Sequence, residues 1–141
     1  MGAVTQPAWA TLGGNRASVD ADRLALSGQM LPSPLVAAGN YQVVAFVLPT
    51  GTQVNEYVSD KGLVFAVSWA GPFKPDVRQL LGPHFDKVLQ RQAGQSHAGH
   101  PYIHQHEVDL VMESGGHQGN FAGRAYLPAD LPAGLSVDQI R

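Results

Sequence analysis

Apolar and polar positions are patterned most clearly over residues 41–69, which read as three β-strands joined by two tight turns. The first run, residues 41–48, is nearly continuous β-branched and aromatic residue through Val43, Val44, Phe46, Val47 and Leu48. That composition suits a strand covered on both faces. Pro49-Thr50-Gly51 interrupts it, and a three-residue loop closing on Gly suits a hairpin whose last residue needs a positive φ. Residues 52–58 alternate, Val54, Glu56 and Val58 against Gln53, Asn55 and Tyr57. Ser59-Asp60-Lys61-Gly62 forms the second turn. The third run, residues 63–69, sets Leu63, Phe65, Val67 and Trp69 on one side and Val64, Ala66 and Ser68 on the other. The large side is expected to be core. The small side leaves room for something packed closely against it.

The same reading extends along the chain. Val19 to Leu24 has a helix-start pattern, with Asp20 as cap and Val19 packing on Leu24 as a hydrophobic staple, and Ser27-Gly28 ends it. Pro32, Pro34 and Gly39 make residues 30–40 an extended connector. After Gly71-Pro72, apolar residues Val77, Leu80, Leu81, Phe85, Val88 and Leu89 recur at three- and four-residue spacing. They predict a helix over 75–92, opened by Pro75 and kinked at Gly82-Pro83, with its apolar face on the meander. Residues 104–113 read as a fourth strand, 114–120 as a glycine-rich hairpin loop and 121–127 as a fifth strand. Ser136-Val137-Asp138-Gln139 has the capping-box pattern of one terminal helical turn. The fold expected is therefore α+β. An approximately five-stranded, mainly antiparallel sheet (meander 41–69 plus hairpin 104–127) carries the kinked helix 75–92 on one face.

Composition narrows what this fold can do. The 141 residues fit a single domain, taken as 11–141. Hydrophobic residues make up 44% and charged residues only 14%, with a formal net charge of −2. That balance offers no electrostatic case for nucleic acid or an anionic membrane surface. The chain has no cysteine, so thiol catalysis, zinc–thiolate sites and disulfides are excluded. No apolar run approaches the ~18 residues of a membrane span. Ala8-Trp9-Ala10 has the small-x-small pattern of a signal-peptidase site, which makes residues 1–10 the remnant of a secretory signal or an extraneous tail.

Several blocks in order resemble the bacterial Domain of Unknown Function 2844 family. They are Leu12-Gly13-Gly14; Gly51-Thr52 with Asn55-Glu56-Tyr57-Val58; Val64-Phe65-Ala66-Val67-Ser68-Trp69; Asp76-Val77-Arg78-Gln79-Leu80-Leu81-Gly82; Glu113-Ser114-Gly115-Gly116-His117; and Phe121-Ala122-Gly123-Arg124-Ala125-Tyr126-Leu127-Pro128. The resemblance runs from about Leu12 to the C-terminus. It implies a small exported protein of Gram-negative bacteria, periplasmic or secreted. It implies no activity and carries over no catalytic residue.

The candidate chemistry is sparse. His97, His100, His104 and His106 fall within ten residues, and imidazole is a common ligand for zinc, copper and nickel. His104 and His106, two apart on a strand, share a face, and three ligands with a water would make an open site. No thiolate or paired carboxylate supports the set, and Glu107 and Asp109 lie at positions of the opposite parity. A solvated, imidazole-rich loop is the plainer reading, and it requires no cofactor. Ser114-Gly115-Gly116-His117 is not a phosphate loop, because a strand and not a helix follows it. Arg124, between Gly123 and Ala125, is expected to pair across the sheet with Glu56 or Asp109. Trp69 and Phe73 are expected to be core and helix anchor. No nucleophile-elbow pattern supports a Ser-His-Asp triad. The sequence thus favours a non-enzymatic binding or structural module of the cell envelope, with an unidentified protein or small-molecule partner. The alternative is a small metal-binding protein or metal-dependent enzyme built on His97, His100, His104 and His106.

Overall fold

A computed structural model describes residues 12–14, 19, 23–24, 26–30, 41–82, 84, 103–106 and 110–140. Strands β1 (Gln29–Met30), β2 (Tyr41–Val47), β3 (Gln53–Ser59), β4 (Val64–Gly71), β5 (Ile103–His106), β6 (Val111–His117) and β7 (Asn120–Tyr126) form one sheet. Its order is β1-β2-β3-β4-β7-β6-β5, and every neighbouring pair is antiparallel. The meander is as expected: β2, β3 and β4 pair in sequence, and Gly51 and Gly62 close their turns at φ of 90° and 79°.

Seven strands replace the five expected, for two local reasons. Gln29 and Met30 pair with Val47 and Phe46, which adds a short edge strand ahead of the Pro-rich connector. The run 104–113 is not one strand. Its ends pair with each other, His106 opposite Val111 and His104 opposite Glu113, so the chain reverses between them. No Gly or Pro marks that reversal. The supposed loop 114–120 is strand as far as His117, and the turn is only Gln118-Gly119.

The described architecture is mostly β. The one helix whose described residues run unbroken, outside short 3-10 turns, is α1 (Val77–Leu81); Val19, Arg23, Leu24 and His84 are also helical. Helix α1 starts at Val77, not Pro75, and Asp76 caps it: the Gln79 amide donates to Asp76 Oδ1 at 3.2 Å, an N-cap bond. Gly82, at φ 53°, ends it in the left-handed region. The predicted continuation 85–92 lies outside the described residues, as does Pro83, so the kinked helix is not part of the fold described. The expected packing does hold for α1. Leu80 and Leu81 are fully buried against Phe46, Val54, Val67, Trp69, Met112 and Leu127.

Strand β4 is buried from Val64 to Trp69. Its simple alternation fails at Phe65. Tyr57 faces Ala66 but Val58 faces Val64, so Phe65 is an extra residue in a β-bulge. Phe65 consequently joins Ala66 on the second face, with Tyr41, Tyr57, Val111, Tyr126 and Ile140. The Tyr41, Tyr57 and Phe65 rings lie 6.0–6.2 Å apart, with Tyr41 and Phe65 edge to face. Val64 instead packs with Val19, Val44 and Val58. Val19 therefore does not staple onto Leu24, which is exposed. The end of that segment behaves as expected. Gly28 N–H donates to Arg23 O and Ser27 N–H to Leu24 O, a Schellman pair, although Ser27 takes the left-handed conformation (φ 56°).

Two irregular segments complete the cover. Leu12 is buried in the main core, and its amide donates to Leu80 O, while Gly13 and Gly14 exchange hydrogen bonds with Val64. The C-terminal tail, through Leu131, Leu135, Val137 and Ile140, lies over the aromatic face. It ends in the expected turn, Val137–Gln139, with the Ser136 amide donating to the Gln139 side chain at 3.1 Å. Trp69 is core, but Phe73 is exposed and anchors nothing through its ring. Its backbone is held instead by Thr52 Oγ1, which donates to Phe73 O at 2.7 Å.

Trp69 also explains a glycine. A Cβ on Gly123 would lie 2.3 Å from the Trp69 ring and 2.9 Å from Ser114 Cβ. Gly123→Ala should destabilise the protein by about 2 kcal/mol, because the buried ring has no room to withdraw. Chemical denaturation checks this: the midpoint should fall with the m-value unchanged.

Candidate functional site

The register sets polar residues in one row across the sheet. Asn55 faces Ser68, Ser68 faces Arg124, Arg124 faces Glu113 and Glu113 faces His104. Side chains at directly opposed positions share a face, so Asn55, Ser68, Arg124 and Glu113 lie on the side that carries the C-terminal tail. Asn55 Nδ2 donates to Ser68 Oγ at 3.4 Å. Arg124 Nε donates to Glu113 Oε2 at 2.8 Å, and Nη2 lies 2.7 Å from the same oxygen.

The described partner of Arg124 is thus Glu113 and not Glu56. Glu56 is opposite Val67, which has the other parity on β4, and its fully buried side chain belongs to the other face. Asp109 lies outside the described residues.

Arg124 does more than pair. Its Nη1 donates to the carbonyl oxygens of Val137 at 2.9 Å and Ile140 at 3.5 Å. Tyr57 Oη donates to Gln139 O at 3.3 Å. These groups satisfy tail carbonyls that no strand reaches, and so hold the tail in place. Nearby Tyr126 titrates above the usual tyrosine range: burial raises it, Glu113 raises it further and Arg124 lowers it.

Beyond the tail the same face opens into a cleft of 510 Å³. Its floor includes Ala70, Ala122 and Gly115, which lie opposite one another on β4, β7 and β6. Arg124, Glu113 and Ile140 line it from the tail side, and Asn120 comes from the hairpin end. Ala70 and Ala122 are exposed. The volume falls in the range of small-molecule sites. The lining is small and largely apolar, with one fixed ion pair.

The expected metal set divides. His97 and His100 lie outside the described residues. His104 and His106 are on edge strand β5, at positions opposite Glu113 and Val111. Sequence reasoning sought supporting carboxylates at Glu107 and Asp109 and missed Glu113, because it took His104 and Glu113 for two ends of one strand. Among the described residues no group of three His, Cys, Asp or Glu is placed to hold a metal ion. His117 is exposed at the hairpin tip, with Nδ1 3.2 Å from Gln118 O. The cleft itself was missed. Its one signal in the sequence is an Arg between small residues on a strand.

Residues 8–140 match the family model described as Protein of unknown function (DUF2844). No curated protein and no solved structure matches the chain. No described helix is long and apolar enough to cross a membrane.

Arg124→Met removes the donors to Val137 and Ile140. Charge-assisted hydrogen bonds contribute roughly 1.5–3 kcal/mol. Amide hydrogen exchange at Gln139 and Ile140 should therefore rise about tenfold or more, while protection in β2 and β3 changes little. Equal loss of protection everywhere would show that the pair holds the whole fold and not the tail.

Proposed function

The chain belongs to the DUF2844 family, and from that premise and the cleft geometry we propose an exported, non-enzymatic binding module of the bacterial cell envelope. The observation that carries the binding reading is the use made of Arg124 and Glu113. Their charges are engaged with each other and with tail carbonyls, so they shape a wall of the cleft and are not poised for proton transfer. An open cleft floored by alanine and glycine suits recognition of a partner's surface or of a small molecule.

Export draws support from Ala8-Trp9-Ala10, a small-x-small pattern that ends two residues before Leu12. Leu12 is buried and its amide is bonded to Leu80 O, so cleavage after Ala10 would leave the first described core residue in place. N-terminal sequencing of protein recovered from the periplasm of its native host should begin at Thr11. An intact Met1 in cytosolic protein would sink both the cleavage site and the localisation.

A second reading, a zinc, copper or nickel site using His97, His100, His104 and His106, gains one argument from the register. The His104 position pairs with that of Glu113, a carboxylate, in the β5–β6 register. Against it, Glu113 Oε2 already accepts a hydrogen bond from Arg124 Nε and lies 2.7 Å from Nη2, and a guanidinium beside a cation is repulsive. The expected outcome of zinc and copper titration by calorimetry is weak binding of several ions per chain. Stoichiometric submicromolar binding that is lost in His104→Ala/His106→Ala would establish the metal reading instead.

A further inference from the structure

Arg124 presents an unusual surface to the cleft. All three of its guanidinium nitrogens have partners: Nε and Nη2 lie on Glu113 Oε2, and Nη1 donates to the carbonyls of Val137 and Ile140. An anion has little edge left to bind, and Glu113 beside it repels one. With its N–H groups so engaged, what the group has left to offer a ligand is its π face. Such a face stacks on aromatic rings. The floor beside it, Ala70, Ala122 and Gly115, carries almost no side-chain bulk, so a ring can lie flat on the sheet. Ile140 supplies an apolar edge and Asn120, at the hairpin end, a polar group.

We propose that this cleft binds a small molecule through a planar aromatic group, stacked against the face of Arg124 and lying over Ala70, Ala122 and Gly115. The volume of 510 Å³ accommodates a fused bicyclic ring with a short substituent. The proposal rests on the binding-module reading and names the ligand class for it.

Indole is the probe, with cyclohexanol as a non-aromatic control of similar polarity. Amide chemical shifts of the full chain are followed during titration. Indole should give saturable shifts centred on Gly115, Ala122 and Arg124, with a Kd of about 1 mM or tighter. Cyclohexanol should bind at least about tenfold more weakly. Ala122→Leu puts a branched side chain over the floor from β7, and Ala70→Leu does so from β4. Both positions are exposed, so thermal melts should match the wild type while indole binding weakens about tenfold or more. The proposal is overturned if indole gives no saturable shifts, if cyclohexanol binds equally well, or if correctly folded Ala122→Leu and Ala70→Leu bind indole as the wild type does. Failure here with a Thr11 start in the periplasm removes the aromatic ligand and leaves the exported module standing. A Met1 start together with indole binding does the reverse.

Discussion

Strand β4 has to be covered on both sides. Val64 to Trp69 are all buried, and a bulge at Phe65 sends adjacent large residues to opposite cores. Helices would ordinarily supply that cover, since they satisfy their own backbone as they pack. Here the described helix has five residues, and much of the cover is irregular chain. Irregular chain brings unpaired backbone groups into partly dry surroundings, and each needs a partner. The structure meets that need in stated places. Gly13 and Gly14 bond to Val64, the Leu12 amide bonds to Leu80 O, and Leu127 N–H donates to Phe65 O. The tail's carbonyls go to Arg124 and Tyr57.

The last of these ties fold to site. Arg124 is needed by the tail, and a half-buried guanidinium needs a counter-charge, which Glu113 supplies from the directly opposed position on β6. Once both are fixed, they and Ile140 form one side of the cleft. The cleft wall is thus rigid because it is part of the machinery that closes the aromatic face. Loosening the tail would alter the cleft, and filling the cleft would bear on the tail.

The meander was legible because its signals are local: alternation, β-branched runs and two turns ending in Gly at positive φ. The features that escaped are those that neighbours decide. The bulge at Phe65 depends on the register of β3. Val19 looked like a partner for Leu24 five positions on, but it packs with Val44, Val58 and Val64 across the sheet. The reversal after His106 carries no Gly or Pro, so 104–113 read as one strand, and the juxtaposition of His104 with Glu113 was invisible. The cleft is assembled from β4, β6, β7 and the tail, and alanine and glycine carry no chemical signature in a sequence. Arg124 was noticed, and its cross-strand pairing was anticipated, but parity along the strands was needed to choose Glu113 over Glu56.

The blocks that carry the family likeness can be sorted by what the fold requires of them. Leu12-Gly13-Gly14 clasps β4 to α1. Asp76 caps α1 and Gly82 ends it. Gly123 is small because Trp69 leaves it no space, and Arg124 with Glu113 holds the tail. Ala122, within a block, and Ala70, which directly follows one, are different. Both are exposed mid-sheet positions where packing sets no upper limit on size, and larger β-formers would cover more of the neighbouring backbone. Stability alone does not ask for alanine there. Among the described residues, a floor kept low beside a guanidinium whose nitrogens already have partners is not explained by these demands of folding, and that gives a ligand a physical reason to sit there.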